Sequence, residues 1–332
     1  MKHIGKSYDK VDAKGILSGK PSYTGDFVPK DALIIKVLRS PHAQAKIKSI
    51  DTSKAKLIPG VEAIFTYEDV PNTRFTLAGQ TYPEPSAYDA LILDPVVRYV
   101  GDEVALVVAK DEATALKAMP LIKVEYEVQK PVLDLRTAMD HETVVHPEDD
   151  ILNHIPVGQD YKRNICVSYH KRVGDIEGEL AKCDYVVEGT YFDQATRQSA
   201  MEPFQSFGYI DHLGRIVIVS STQIVFHVRR HIARALGIPA SKIRVIKPRI
   251  GGGFGSKQTA CTELMTAFVT WKLQKPCYLL YDRTEAQTCS TTRHAREWYI
   301  RVGATKDGII QVIDMDSITD AGAHACLLYT SP

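Results

Sequence analysis

The stretch Arg249-Ile250-Gly251-Gly252-Gly253-Phe254-Gly255-Ser256-Lys257-Gln258 decides how this chain is read. Four glycines in five positions strip the backbone of Cβ atoms, so a bulky group can lie directly against its N–H groups. Before it, Lys242 to Lys247 alternates polar and apolar residues as a strand does. After it, Thr259 to Leu273 places Cys261, Leu264, Met265, Phe268, Val269 and Leu273 on one helical stripe. Strand, glycine loop and helix in that order let amides at a helix start face an anion. Two familiar phosphate loops fail on counting. A P-loop needs Gly before the Lys and Ser or Thr after it, whereas Ser256 precedes Lys257 and Gln258 follows. The dinucleotide fingerprint needs a third Gly where Gln258 stands. A plain tight connection is the other reading, and Phe254 inside the run argues for a loop shaped around a ligand.

The 332 residues are 44% hydrophobic and 24% charged, ordinary for a soluble globular protein of about two domains. A formal net charge of +1 gives no sign of a nucleic-acid or membrane surface. The start, Met1 to Lys6, lacks the apolar core of a signal peptide, and the apolar run Val104 to Ala109 is too short to cross a bilayer. The six cysteines (166, 183, 261, 277, 289 and 326) are scattered, with no Cys-x-x-Cys pair. That spacing predicts a reducing, cytoplasmic setting and no iron–sulfur or zinc site built by this chain.

Alternation predicts strands at residues 32–39, 45–51, 61–65, 104–109 and 122–128, with helices after Asp51-Thr52-Ser53 and over 111–119. This α/β unit ends near Ala138. From Asp140 to Arg163 the pattern dissolves into charge, Pro and Gly, which predicts a solvated linker. His141-Glu142-Thr143-Val144-Val145-His146 misses the zinc-protease spacing by one residue, so its histidines leave a common helical face and are assigned to that linker. Further strands are expected at 184–192, 204–210, 215–220 and 277–281, and a hairpin turning at Asp307-Gly308. A helix capped by Ser221 or Thr222 closes at Gly237 and Pro239, with Gln223 as an early helical residue.

Leu38-Arg39-Ser40-Pro41-His42-Ala43, Ile50-Asp51-Thr52-Ser53, Pro59-Gly60-Val61 and Val97 to Ala105 resemble the α/β hammerhead domain of molybdenum hydroxylases. Ala200-Met201-Glu202-Pro203, Ser221-Thr222-Gln223 and Gly251 to Gly255 resemble the start of their molybdopterin-binding domain, and the motifs follow the family's order. The match is nearest to molybdenum-binding subunits of bacterial xanthine dehydrogenases. It implies an α/β hammerhead domain at 1–138, a linker at 139–163 and the first part of a molybdopterin-binding domain at 164–332.

The resemblance also implies a chemistry. A molybdenum held by a pterin dithiolene, the pterin either plain or as its cytosine dinucleotide, hydroxylates an electron-poor C–H carbon with oxygen from water. Electrons leave through 2Fe-2S clusters to FAD on partner subunits. In this picture Gln223 faces the molybdenum oxo group, and Gly253, Phe254 and Gly255 form the loop whose amides face the metal site. Gln258 stands where xanthine oxidases of eukaryotic type place a substrate-binding glutamate, and its neutral amide departs from that pattern. Hypoxanthine or xanthine is the implied substrate, the alternatives being an aldehyde or another N-heterocycle, or a non-catalytic scaffold that docks partner subunits. Glu202 is not assigned as a base, because the family's catalytic glutamate lies later than Pro332. Family subunits are about twice as long, and residues 327–332 leave the family pattern. The chain is therefore expected to be inactive by itself, with open strand edges beyond Arg163.

Overall fold

The apolar run at 104–109 forms a strand buried on both faces, and two cores are built on it. The computed structural model describes residues 3–77 and 82–325. In chain order its strands are β1 (Leu33–Arg39), β2 (Ala45–Asp51), β3 (Val61–Phe65), β4 (Val96–Val97), β5 (Glu103–Ala109), β6 (Lys123–Val128), β7 (Tyr185–Asp193), β8 (Gln205–Ile210), β9 (Ile216–Ser220), β10 (Ile243–Ile246), β11 (Cys277–Leu280), β12 (Arg296–Ala304) and β13 (Ile310–Thr319). The helices are α1 (Ala13–Leu17), α2 (Ser53–Lys56), α3 (Glu112–Ala118), α4 (Ile176–Leu180), α5 (Val225–Leu236), α6 (Glu263–Leu273) and α7 (Arg283–Thr288).

Successive side chains of β5 point to opposite faces. Ala105, Val107 and Ala109 meet Ala115 and Ala118 of α3 and Ile64 of β3. Leu106 and Val108 join the main core, with Ile35 and Val37 of β1, Ile218 of β9, Phe268 of α6 and Leu279 of β11. The central sheet has the order β10-β9-β8-β11-β1-β5-β3, and β1 pairs in parallel with β11 through Leu33↔Cys277 and Ile35↔Leu279. One sheet therefore crosses the boundary expected between the first and last segments. Arg39 of β1 reinforces the crossing. It binds Glu103 at 2.8 Å and Glu285 of α7 at 3.1 Å, and lies 4.5 Å over the Tyr281 ring. Phe65 of β3 meets Phe268 edge-on at 5.1 Å.

Helix α6 departs from the expected single stripe. Every residue from Glu263 to Thr270 is buried, because α6 lies between β8 and α5. Gly208 of β8 permits that approach, since a Cβ there would stand 2.3 Å from Thr270 Oγ1. A second sheet, β4-β2-β6, completes the first segment. A third, β13-β12-β7, turns at Gly308 (φ 78°) as expected and leaves Val187, Phe192 and Ile313 exposed.

The segment expected to be a solvated linker is instead fastened to the body. Its irregular backbone explains the missing periodicity, but side chains and amides hold it down. Asn164, with a left-handed φ of 59°, accepts from the Val145 amide at 2.9 Å and donates to the carbonyls of Ala138 and Thr143. Arg98, with a fully buried side chain, binds Asp94 at 2.8 Å and the Val145 carbonyl at 3.0 Å, and contacts Glu148. His146 is buried, not solvated.

Asp102, at the head of β5, accepts from the amides of Arg98 at 2.7 Å and Glu103 at 2.9 Å. Burial, and then the neighbouring Glu103, push its carboxyl up to about 7. The folded chain thus holds a proton that the unfolded chain releases near the ordinary value of 3.8. Its contribution to stability is present at low pH and is lost as pH rises through the window from about 4 to about 7. Asp102→Asn should flatten the decline in melting temperature between pH 5 and pH 8, a change of about 2–3 kcal/mol at most. Parallel melting curves for the two proteins would refute this.

Candidate cofactor site

Three pieces of chain converge at the glycine loop. The first is the extended segment after β9, which carries Gln223. The second is the loop itself, leaving β10. The third is Ala200 to Pro203, which precedes β8. Gln223 lies before α5 rather than inside it, since the helix starts at Val225 with Ile224 as an uncapped N-cap. Its amide N–H donates to the Lys257 carbonyl at 2.9 Å, which stitches the segment to the loop. Its side-chain oxygen accepts from the Gly255 amide at 3.3 Å. Gly255 (φ 92°) and Gly252 (φ 101°) hold backbone conformations that disfavour other residues. Gly253 leaves room for the Gln223 side chain, because a Cβ there would stand 2.5 Å from Gln223 Oε1.

Phe254 holds a left-handed φ of 52° and is 74% exposed. A large aromatic residue in this conformation stores backbone strain of about 1–3 kcal/mol without burying its ring. The amides of Gly252, Gly253 and Phe254 have no acceptor among the described residues, nor does the side-chain nitrogen of Gln223. The site is thus a cradle of neutral hydrogen-bond donors.

The charged residues beside the loop face inward. The side chain of Lys257 is 1% exposed, and its Nζ lies 3.0 Å from both the carboxylate and the carbonyl oxygen of Glu202. Glu202 also accepts from the Gly251 amide at 2.7 Å and from the Gln205 side chain at 2.7 Å. Neither Glu202 nor Lys257 is available as a base or an anion ligand, because each saturates the other. They brace the entry of the loop. Only its position beside the glycines singles out Lys257 in the sequence, and Glu202 carries no local signal of this role.

The expected alignment of a helix start with the loop is not found. A 3-10 turn, Ser256–Gln258, and the extended Thr259 separate the loop from α6. The donors before α6 are already used. The amides of Cys261 and Thr262 donate to Glu263 Oε2 at 2.9 and 3.1 Å, and Ser220 Oγ donates to its other oxygen at 2.5 Å. Burial pushes the Glu263 carboxyl above its ordinary value despite these bonds. Burial also drives the Cys261 thiol up to about 12, so it stays protonated. Gln258 lies half-buried on the 3-10 turn, its amide N–H donating to the Gly255 carbonyl at 3.2 Å. A cavity of about 280 Å³ lined by Leu93, Tyr99, Cys261 and His294 takes in neither Gln223 nor the glycine loop.

A group bearing oxo and phosphate oxygens suits a cradle of unused amides with left-handed glycines. Residues 157–330 match the molybdopterin cofactor-binding domain, and residues 18–130 match the aldehyde oxidase and xanthine dehydrogenase a/b hammerhead domain. The chain belongs to the aldehyde oxidase and xanthine dehydrogenase family of molybdenum enzymes. It is 38% identical to "Probable hypoxanthine oxidase XdhD" of Escherichia coli K12, over 99% of this chain and 37% of that protein. It is 31% identical to the nicotinate dehydrogenase large molybdopterin subunit of Eubacterium barkeri, over 97% of this chain and 71% of that protein. Among solved structures, the aldehyde oxidoreductase of Desulfovibrio gigas superposes with a TM-score of 0.79 at 25% identity, covering 95% of this chain and 34% of the other. The chain thus spans well under half the length of the E. coli protein. A hammerhead domain followed by a molybdopterin-binding domain is thus the architecture of this chain. No helix among the described residues is long and apolar enough to cross a membrane.

Proposed function

We propose that these residues belong to a cytoplasmic molybdenum hydroxylase that oxidises a purine, hypoxanthine or xanthine, with oxygen drawn from water. The observation that carries the reading is the donor cradle. Gln223 Nε2 and the amides of Gly252, Gly253 and Phe254 have no acceptor among the described residues, and Lys257, the cation beside the loop, is already paired with Glu202. The molybdenum–pterin group, plain or as its cytosine dinucleotide, would supply the two-electron oxidation when bound. The chain's own part is to hold it. Gln223 and the loop would donate to oxygens of that group, where fixed donors stabilise growing charge without reorganising. Gln258 would stand on the substrate side of the site. The purine assignment follows the name of the E. coli relative. The electron path would run to an iron–sulfur subunit and an FAD-binding subunit on separate chains.

A second reading, oxidation of an aldehyde or another N-heterocycle, is favoured by the neutral amide of Gln258, which cannot supply a carboxylate to a purine. Turnover of hypoxanthine and xanthine against aromatic aldehydes by the native complex separates the two. Purine turnover with weak aldehyde activity is expected, and aldehyde turnover alone would end the purine assignment.

A further inference from the structure

Asp89, His146 and His324 lie far apart in sequence and meet in the interior. Asp89 is 1% exposed, and no lysine or arginine pairs with it among the described residues. His324 Nδ1 stands 3.3 Å from Asp89 Oδ1, yet neither atom has a hydrogen-bond partner. The two atoms are close without the geometry of a hydrogen bond, as expected of two groups that face a common third point. On the other carboxylate oxygen, His146 Nε2 lies 3.8 Å away. One ligand atom from each residue falls within 4.8 Å of the other two.

We propose that Asp89, His146 and His324 form a binding site for a divalent metal ion of the zinc class. Two ligands of a tetrahedral ion at about 2.0–2.1 Å stand about 3.3–3.4 Å apart, so the Asp89–His324 spacing already fits, and His146, which lies 3.8 Å from the other carboxylate oxygen, has to move closer on loading. Two imidazoles, one carboxylate and no thiolate suit Zn²⁺, Co²⁺ or Ni²⁺ better than Ca²⁺ or Mg²⁺. The surroundings supply the outer support that ligating histidines use. His146 Nδ1 lies 3.5 Å from Glu148 Oε2, and that carboxylate oxygen is otherwise unpartnered. His146 Nε2 now meets the Ala323 carbonyl at 2.7 Å. On loading, Nε2 turns its lone pair to the ion and the ring carries its proton on Nδ1 towards Glu148, which fixes the tautomer. Access is from the 280 Å³ cavity, whose lining includes His324. The ion would tie the irregular segment at 146–148, and the residues after β13, to the buried loop at Asp89. The proposal is independent of the molybdenum reading and needs no pterin to test.

The test uses the 332-residue chain without an affinity tag, stripped with EDTA and titrated with Co²⁺ as the probe. One equivalent should bind and give the visible bands of tetrahedral cobalt, and Zn²⁺ should abolish them. His324→Asn and Asp89→Asn should each weaken binding by about a hundredfold or more, whereas His154→Asn, an exposed neighbour, should leave it unchanged. Because a buried variant can misfold, the unmodified chain gives a second measure. Its melting temperature should rise with one equivalent of Zn²⁺ and fall again with EDTA. An absent cobalt spectrum, equal effects of the His154 and His324 variants, or a melting temperature indifferent to Zn²⁺ would each overturn the site.

Discussion

Replacing Lys257 with methionine should lower the stability of the chain by about 3–5 kcal/mol, because it strands the Glu202 carboxylate in a site where both side chains are at least nine-tenths buried. The remaining partners of that carboxylate are the Gly251 amide and the Gln205 side chain, which solvate it without neutralising it. Thermal denaturation should show a loss on the order of 10 °C. Removing both charges together in Glu202→Gln/Lys257→Met should restore most of the stability, since a buried pair replaced by neutral groups is often close to neutral in energy. A drop of under 2 °C in the single variant would mean that water reaches the pair and that it does not brace the loop.

Gly253→Ala should separate function from stability. The added Cβ would meet Gln223 Oε1 at 2.5 Å and Cδ at 2.7 Å, both near the end of a flexible side chain. Gln223 can swing aside, so the melting temperature should shift by only a few degrees. The swing breaks the bond to the Gly255 amide and moves the amide nitrogen that the cradle presents. A displacement of about 1 Å at a reacting centre can lower turnover about a hundredfold, and that is the loss expected of the native enzyme carrying this change. Gly251→Ala makes the contrast. Its Cβ would meet Glu202 Cβ at 2.6 Å, next to backbone that cannot move away, so stability should fall as well. Unchanged turnover in Gly253→Ala would detach Gln223 from the chemistry.

Much of this architecture was legible locally. Local alternation and apolar runs located the strands of the central sheet within a residue or two, and Asp307-Gly308 marked the hairpin of the third sheet, because these signals depend only on neighbours in the chain. The bracing pair was not legible, since Glu202 and Lys257 meet only when β8, β10 and the loop are assembled. The closeness of Gln223 to Gly255 came from the family resemblance rather than from spacing. Thr259 to Thr262 carries a helical pattern that burial explains equally well, which hid the gap between loop and α6. His146 failed a motif test built on helical spacing. Its neighbours, Asp89 and His324, come from remote loops, and a search for clustered cysteines is blind to all three.

The central claim is that Gln223 and the loop at 251–255 contact the molybdenum centre. The most direct measurement is the electron paramagnetic resonance of Mo(V) in the native complex, compared between the unaltered enzyme and Gln223→Leu at equal molybdenum content. Altered g-values and a sharp loss of turnover are expected in the variant. Superimposable spectra with unchanged turnover would contradict that claim.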